Sequence, residues 1–212
     1  MFGEMYSKYY ELFNQDKPYE REIKFVYKWA EKPKWIFDIG AGTGSYWKYY
    51  PKKTNIFGVD KSPSMIENSK NRQIACFDIT QYKHHGRFDC ATALFDVMNY
   101  IPEHDWWKEI PIDKGGYFIF DIFDKLKVDK EGFLTTVKKI KNATRTITPI
   151  TYDGKTINLS IRVDNNGVVF IENHRMFLHS HEDIEKFCGN DFEIVEVWPT
   201  EQWQTWYKLR RK

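Results

Sequence analysis

No stretch among the 212 residues approaches the roughly 20 consecutive apolar residues needed to cross a bilayer. The opening segment, Met1-Phe2-Gly3-Glu4-Met5-Tyr6, also lacks the apolar core of a signal peptide. Cysteine is scarce and odd in number. Cys76, Cys90 and Cys188 are far apart in sequence, so neither a disulfide framework nor a zinc knuckle is indicated. Reduced thiols in a cytoplasmic protein are the simple reading, and the sequons at Asn142 and Asn158 are then chance matches. Charge of one sign is lacking too. Thirty-two basic residues against 30 acidic ones leave a net charge of +2, too mild to demand a nucleic-acid partner. The basic runs at 138–145 and 209–212 read as a solvated face and a tail. Neither His84-His85 nor any other cluster has convincing metal-ligand spacing, so no metal site is expected. Repeats, low-complexity segments and linkers are absent, which predicts one domain over residues 1–212. The oligomeric state stays open.

Aromatic residues are abundant, at 17%, with 8 Trp, 13 Tyr and 16 Phe. They supply packing for a core, and their rings also suit flat or ring-shaped ligands. Residues 17–32 read as a helix, with Ile23, Val26, Tyr27 and Ala30 on one face and Pro18 near its start. Short apolar strands follow at 35–39, 55–60, 74–77, 88–95 and 116–123, with polar helical stretches between most of them. Tyr117-Phe118-Ile119-Phe120 admits no polar residue, as expected of a strand covered on both faces. Strands alternating with helices imply a mostly parallel sheet in an α/β fold.

The pattern changes near residue 140. Strands at 145–152, 155–163 and 167–175 are separated by the turn signals Asp153-Gly154 and Asn165-Asn166-Gly167, which predicts an antiparallel insertion over about 145–178. Ser180 and Asp183 open a helix that ends near Gly189, and strands at 192–198 and 205–210 close the chain.

Chemistry concentrates in Phe37-Asp38-Ile39-Gly40-Ala41-Gly42-Thr43-Gly44. A strand runs into three glycines at alternate positions, which lets the backbone approach a ligand closely. A helix is expected to start there and add its free N–H groups. Asp60 lies 20 residues beyond Gly40, at the end of the second strand, where a carboxylate can accept both hydroxyls of an adenosine ribose. A dinucleotide site would require Gly-x-Gly-x-x-Gly, and position 45 is Ser45.

This segment resembles motif I of the class I S-adenosylmethionine-dependent methyltransferases, in which an acid, here Asp38, stands two residues before the first glycine. Val59-Asp60-Lys61-Ser62-Pro63-Ser64-Met65 resembles their second motif, with a ribose-binding acid and a methionine near adenine. Cys76-Phe77-Asp78-Ile79 resembles the third, with an acid at the adenine amino group. Phe88 to Val97 and Gly115 to Asp121 resemble the fourth and fifth strands. The resemblance spans about residues 20–125. It implies a Rossmann-like fold with a seven-stranded sheet flanked by helices, a cofactor-binding core over about 17–125, and the inserted strands as a substrate cap. It also implies S-adenosyl-L-methionine as cofactor, held by Tyr6, Asp38, Gly40, Ala41, Gly42, Gly44, Asp60, Lys61, Met65, Asp78, Ile79 and Phe95.

Transfer of a methyl group from a sulfonium is an in-line displacement. The protein must align the acceptor, exclude water and remove a proton where the acceptor carries one. Two segments outside the cofactor motifs are candidates. Tyr6 and Tyr10 resemble the Tyr-x-x-x-Tyr start of small-molecule methyltransferases, which folds over the cofactor, although Asn14 stands where a further aromatic is common. Glu172-Asn173-His174 resembles the Glu-x-His of the same relatives, which makes His174 the candidate base beside Tyr10. Asp96, Asp121 and Asp124 are a weaker, metal-binding alternative. The resemblance points to a sugar hydroxyl or amine as acceptor, whether free, nucleotide-linked or glycan-terminal. Trp106, Trp107, Trp203 and Trp206 are candidate stacking walls. RNA is the alternative acceptor, but Asp96-Val97-Met98-Asn99-Tyr100 lacks the prolines of base amino-methyltransferases. A non-catalytic binding module is the remaining class.

Overall fold

The computed structural model describes residues 3–81, 83, 86–102, 105–200 and 203–212. The chain opens with helices α1 (Glu4–Asn14) and α2 (Tyr19–Trp29), then alternates β1 (Trp35–Ile39), β2 (Asn55–Asp60), α3 (Pro63–Glu67), β3 (Ile74–Cys76), β4 (Phe88–Ala93) and β5 (Ile112–Phe123). After α4 (Lys125–Glu131) come β6 (Thr136–Ile140), β7 (Ala143–Tyr152), β8 (Thr156–Asn165) and β9 (Val168–Phe177). Helix α5 (His181–Cys188) and strands β10 (Phe192–Pro199) and β11 (Gln204–Arg211) complete the chain.

Seven strands form one sheet in the order β10-β11-β5-β4-β1-β2-β3, and β6 to β9 form a second, antiparallel sheet. In the first, β3, β2, β1, β4 and β5 run parallel, whereas β11 is antiparallel to both its neighbours, β5 and β10. The order reverses between β1 and β4, so the carboxyl ends of β1, β2 and β4 open a crevice at the switch point. This is the α/β architecture expected from the sequence.

The central strands are apolar because both sides are covered. Along β5, Phe118, Phe120 and Ile122 face one core with Trp107, Ile184 and Phe192, while Tyr117 and Ile119 face another with Ile23, Val26 and Trp206. Trp107 is ringed by Phe118, Phe120, Phe187 and Phe192. Truncating a ring so enclosed costs about 3–5 kcal/mol. Trp106, Trp107 and Trp206 are therefore core residues, and Trp203 packs against Phe133, so none supplies the stacking wall expected of it.

Other expectations also change. The glycine loop leads into a short 3-10 turn, Trp47–Tyr49, and not into an α-helix. Tyr46 and Trp47 turn inward to the Asp38 carboxylate and fix that turn. Similar 3-10 turns at Ile79–Gln81, Val97–Tyr100 and Asp105–Glu109 stand where polar helices were expected. The insertion has a fourth strand, β6, and the unanticipated α1 packs its Tyr6 and Phe13 onto that sheet against Ala143, Ile161 and Val163. The predicted turns do form, with positive φ at Gly154, Asn166 and Gly167. The predicted capping box of Ser180 and Asp183 forms as well. No helix among the described residues is long and apolar enough to cross a membrane.

Candidate active site

A cavity of about 300 Å³ lies over the carboxyl ends of β1, β2 and β4, roofed by α1 and the antiparallel sheet. One half is built from the motifs. Gly40, Ala41, Gly42, Asp60, Lys61, Met65, Asp78, Ile79 and Phe95 all line it. Gly40 has φ +66, and a Cβ there would meet the Val97 side chain at 2.5 Å, so position 40 requires glycine twice over.

The Asp60 carboxylate accepts the N–H groups of Gly42 and Ser62, each at 2.8 Å. These bonds aim it along the cavity and leave lone pairs for hydroxyl donors. Burial raises its pKa, against the pull of the two N–H groups. Ser62 caps α3 and seats Met65 beside Gly42. Asp78 accepts from the Thr80 N–H and hydroxyl, and Lys61 approaches it at 4.0 Å.

Two of the expected cofactor contacts do not face the cavity. Asp38 is buried and accepts from Tyr46 Oη, Trp47 Nε1 and Thr92 Oγ1 at 2.6 to 2.7 Å. Its burial pushes the carboxyl up to about 6, against those three donors. The acid of motif I thus braces the glycine loop from behind. Gly44, with φ +62, lies off the cavity against Asn71, whose amide donates to the Thr43 and Gly44 carbonyls.

The other half of the cavity is the roof. Tyr6 and Tyr10 come from α1, Arg145 and Ile147 from β7, Leu159 and Ile161 from β8, and Met176 from β9, with Tyr100, Phe123 and Phe133 alongside. Aliphatic and phenyl groups dominate, so the aromatic surface of the cavity comes from tyrosine and phenylalanine where tryptophan was expected. Arg145 donates to Tyr6 Oη at 2.9 Å. Burial raises the Tyr6 pKa although Arg145 opposes it, and burial raises that of Tyr10 far more. Both phenols are neutral at physiological pH.

His174, the expected base, sits one layer behind this wall. Its side chain has no solvent exposure and contacts the edges of Tyr6 and Tyr100. Its Nε2 is 2.8 Å from Glu172 Oε1, which also accepts the Gly3 N–H. The Glu-x-His pair thereby ties the start of α1 to β9. Burial pushes the Glu172 pKa up, but His174 and the Gly3 N–H outweigh it and hold the carboxyl below its ordinary value. Asp124 is taken up as the N-cap of α4, and no cluster of three metal-ligating side chains occurs among the described residues. His84-His85 lies outside them.

Several wall residues escaped the sequence reading. Lys17, Tyr46, Tyr100 and Ile147 line the cavity, and Arg145 had registered only as part of a basic run. Asn99, fully buried, donates to the Phe177 carbonyl and accepts the Phe123 N–H, which joins the turn after β4 to both sheets.

Residues 36–110 match the family model described as a methyltransferase domain. A protein of Geobacillus sp. (strain WCH70), named provisionally as a methyltransferase, is 22% identical over 226 residues, which cover 95% of this chain and 88% of that protein. The crystal structure of an S-adenosylmethionine-dependent methyltransferase from Clostridium acetobutylicum ATCC 824 superposes with TM-score 0.78 at 21% identity, covering 98% of this chain and 97% of that one. CalS10 from Micromonospora echinaspora, an amino pentose methyltransferase of calicheamicin biosynthesis solved with its methyl donor bound, gives TM-score 0.76 at 15% identity over 100% of this chain and 98% of that one. The chain has the Rossmann-like class I methyltransferase fold, with its glycine loop, the Asp60 carboxylate and the roofed cavity in one crevice.

Proposed function

We propose that this chain is a cytoplasmic S-adenosyl-L-methionine-dependent methyltransferase whose acceptor is the hydroxyl or amine of a sugar, free, nucleotide-linked or at a glycan end. The observation that carries the reading is the continuity of one cavity, from the glycine loop and Asp60 to the apolar roof. The donor set suits the cofactor: a close backbone cradle at Gly40 to Gly42, a half-buried carboxylate at the end of β2, and apolar surfaces at Met65 and Ile79. When bound there, the cofactor supplies a methyl group already activated by the sulfonium charge. Asp60 accepts the ribose hydroxyls and Asp78 the adenine amino group, while Lys61 and Phe95 border them. Tyr6 and Tyr10 close over the crevice and exclude water. His174 acts through Glu172 and Tyr6 as a positioning residue for α1.

The sugar assignment has two supports. The roof offers C–H-compatible walls with few polar groups, as small-molecule sites commonly do. A protein of the same fold, CalS10, is an amino pentose methyltransferase. The test is transfer of label from methyl-labelled S-adenosylmethionine into two pools, one of sugars and nucleotide sugars and one of RNA. Label in the sugar pool is the expected result. Label confined to RNA would overturn the acceptor class.

A further inference from the structure

The acceptor side of the cavity holds a feature that the cofactor motifs do not use. Phe95 and Asp96, just past the end of β4, both have positive φ, at +67 and +64. Consecutive non-glycine residues in that region are strained and need outside support. Asp121 on β5 provides it. Its two oxygens accept the Phe95 N–H at 2.7 Å and the Asp96 N–H at 3.1 Å. The turn thus brings the Asp96 side chain to the cavity wall beside Asp121, and Gln204 Nε2 from β11 donates to both carboxyls, at 3.3 and 3.1 Å.

We propose that the nucleophile taken by this cavity is an amine nitrogen, and that the Asp96 carboxylate, held against Asp121, receives the amine's proton. The inference rests on the methyltransferase reading above and narrows its acceptor.

Two carboxyls joined this closely in a water-poor site share one proton. Asp121 is the tighter holder, because it is fully buried and faces the charge of Asp96. Burial raises Asp96 as well, while Lys17, Gln204 and the hydrogen bond with Asp121 pull it down. The groups around it are Tyr10 on α1, Lys17 before α2, Glu22 on α2, Tyr100 after β4, Asp121 on β5 and Gln204 on β11. Lys17 stands over the Phe95 ring, 4.3 Å from its centroid.

An alkyl ammonium loses its proton near pH 10, above the carboxylate range but several units closer to it than a hydroxyl. A hydroxyl holds its proton about as tightly as water does, near 15.7, far beyond such a group. In the proposed reaction an N–H bond of the ammonium breaks and its proton moves to Asp96. The freed nitrogen pair forms an N–C bond to the methyl carbon of the sulfonium donor. The S–C bond breaks, its electron pair stays on sulfur as a thioether, and the Asp96 proton passes to solvent after product leaves.

The test uses methyl-labelled S-adenosylmethionine with a macromolecule-free cell extract, either untreated or N-acetylated to block amines. Wild-type protein is expected to label the untreated extract and to lose at least tenfold on acetylation. Asp96→Asn suits the left-handed backbone and preserves shape. It should transfer at least 100-fold more slowly at pH 7, with S-adenosylhomocysteine affinity by calorimetry within about threefold of wild type. Its rate should climb about tenfold per pH unit toward the acceptor's own pKa, as free amine becomes available without the carboxylate. Label that survives acetylation, or an Asn variant as fast as wild type at pH 7, overturns the inference and leaves the methyltransferase reading standing. Wild-type protein that fails to bind S-adenosylhomocysteine sinks that reading and the inference with it.

Discussion

Replacing Asp60 by Asn should separate cofactor binding from folding. The carboxylate already accepts two N–H groups, from Gly42 and Ser62, at 2.8 Å each. The ribose hydroxyls would add two charge-assisted hydrogen bonds to the same oxygens. Such bonds contribute about 1.5–3 kcal/mol each. An amide keeps the shape but presents one oxygen and one NH2. Taking the lower value twice gives about 3 kcal/mol, a loss on the order of 100-fold in affinity at roughly 1.4 kcal/mol per decade. One of the two backbone N–H groups must then face an NH2, which costs about 1–2 kcal/mol of stability and lowers Tm by about 3–6 °C. Titration calorimetry with S-adenosylhomocysteine and thermal melting read the two effects independently. Cofactor affinity within threefold of wild type, in a variant that still folds, would refute the assignment of Asp60 to the ribose.

Gly40→Ala combines φ +66 with a Cβ 2.5 Å from Val97, so a loss of about 2–4 kcal/mol is expected in urea unfolding, partly recovered by adding Val97→Ala. An unchanged midpoint would contradict the geometry. Asp38 is pushed up to about 6 by burial, so its folded form binds a proton more tightly than the unfolded chain does. Its contribution to stability therefore falls as pH rises from about 4 to 6, by on the order of 3 kcal/mol. Asp38→Asn should remove that slope in urea titrations, and equal slopes in variant and wild type would contradict it. His174→Ala leaves Glu172 half-buried without its partner, and a stability loss of about 2 kcal/mol is expected. The variant's pH–rate profile should keep its shape, because the histidine acts by position; a vanished acid limb would make His174 the base instead.

The half of the cavity at the glycine loop was legible because its parts are local. A strand, three glycines and an acid at a strand end each follow from a few adjacent residues, and Asp60 needs only the parallel register of β1 and β2 to reach Gly42. The hairpin turns were legible for the same reason, since Gly154 and Gly167 are needed where φ is positive. What escaped depends on tertiary contact. Helix α1 has no side-chain cap, and its inward rings are explained only by the sheet beneath them. Strand β6, Thr-Val-Lys-Lys-Ile, has the composition of a solvated segment and is defined by its pairing with β7. The tryptophans gave no hint of their side of the wall. Asp96 and Asp121 stand 25 residues apart and meet because Ala93, three residues before Asp96, pairs with Phe120, the residue before Asp121. Asp38 had the right motif position but the opposite direction, since three donors behind the loop claim it.

The central claim is that the crevice between Asp60 and the roof is built for S-adenosylmethionine. Calorimetric titration of the wild-type protein with S-adenosylhomocysteine and, separately, with NAD tests it most directly. Saturable binding of S-adenosylhomocysteine, abolished by Asp60→Ala and absent with NAD, is the predicted result. Preference for NAD, or no binding of S-adenosylhomocysteine by folded protein, would contradict the account.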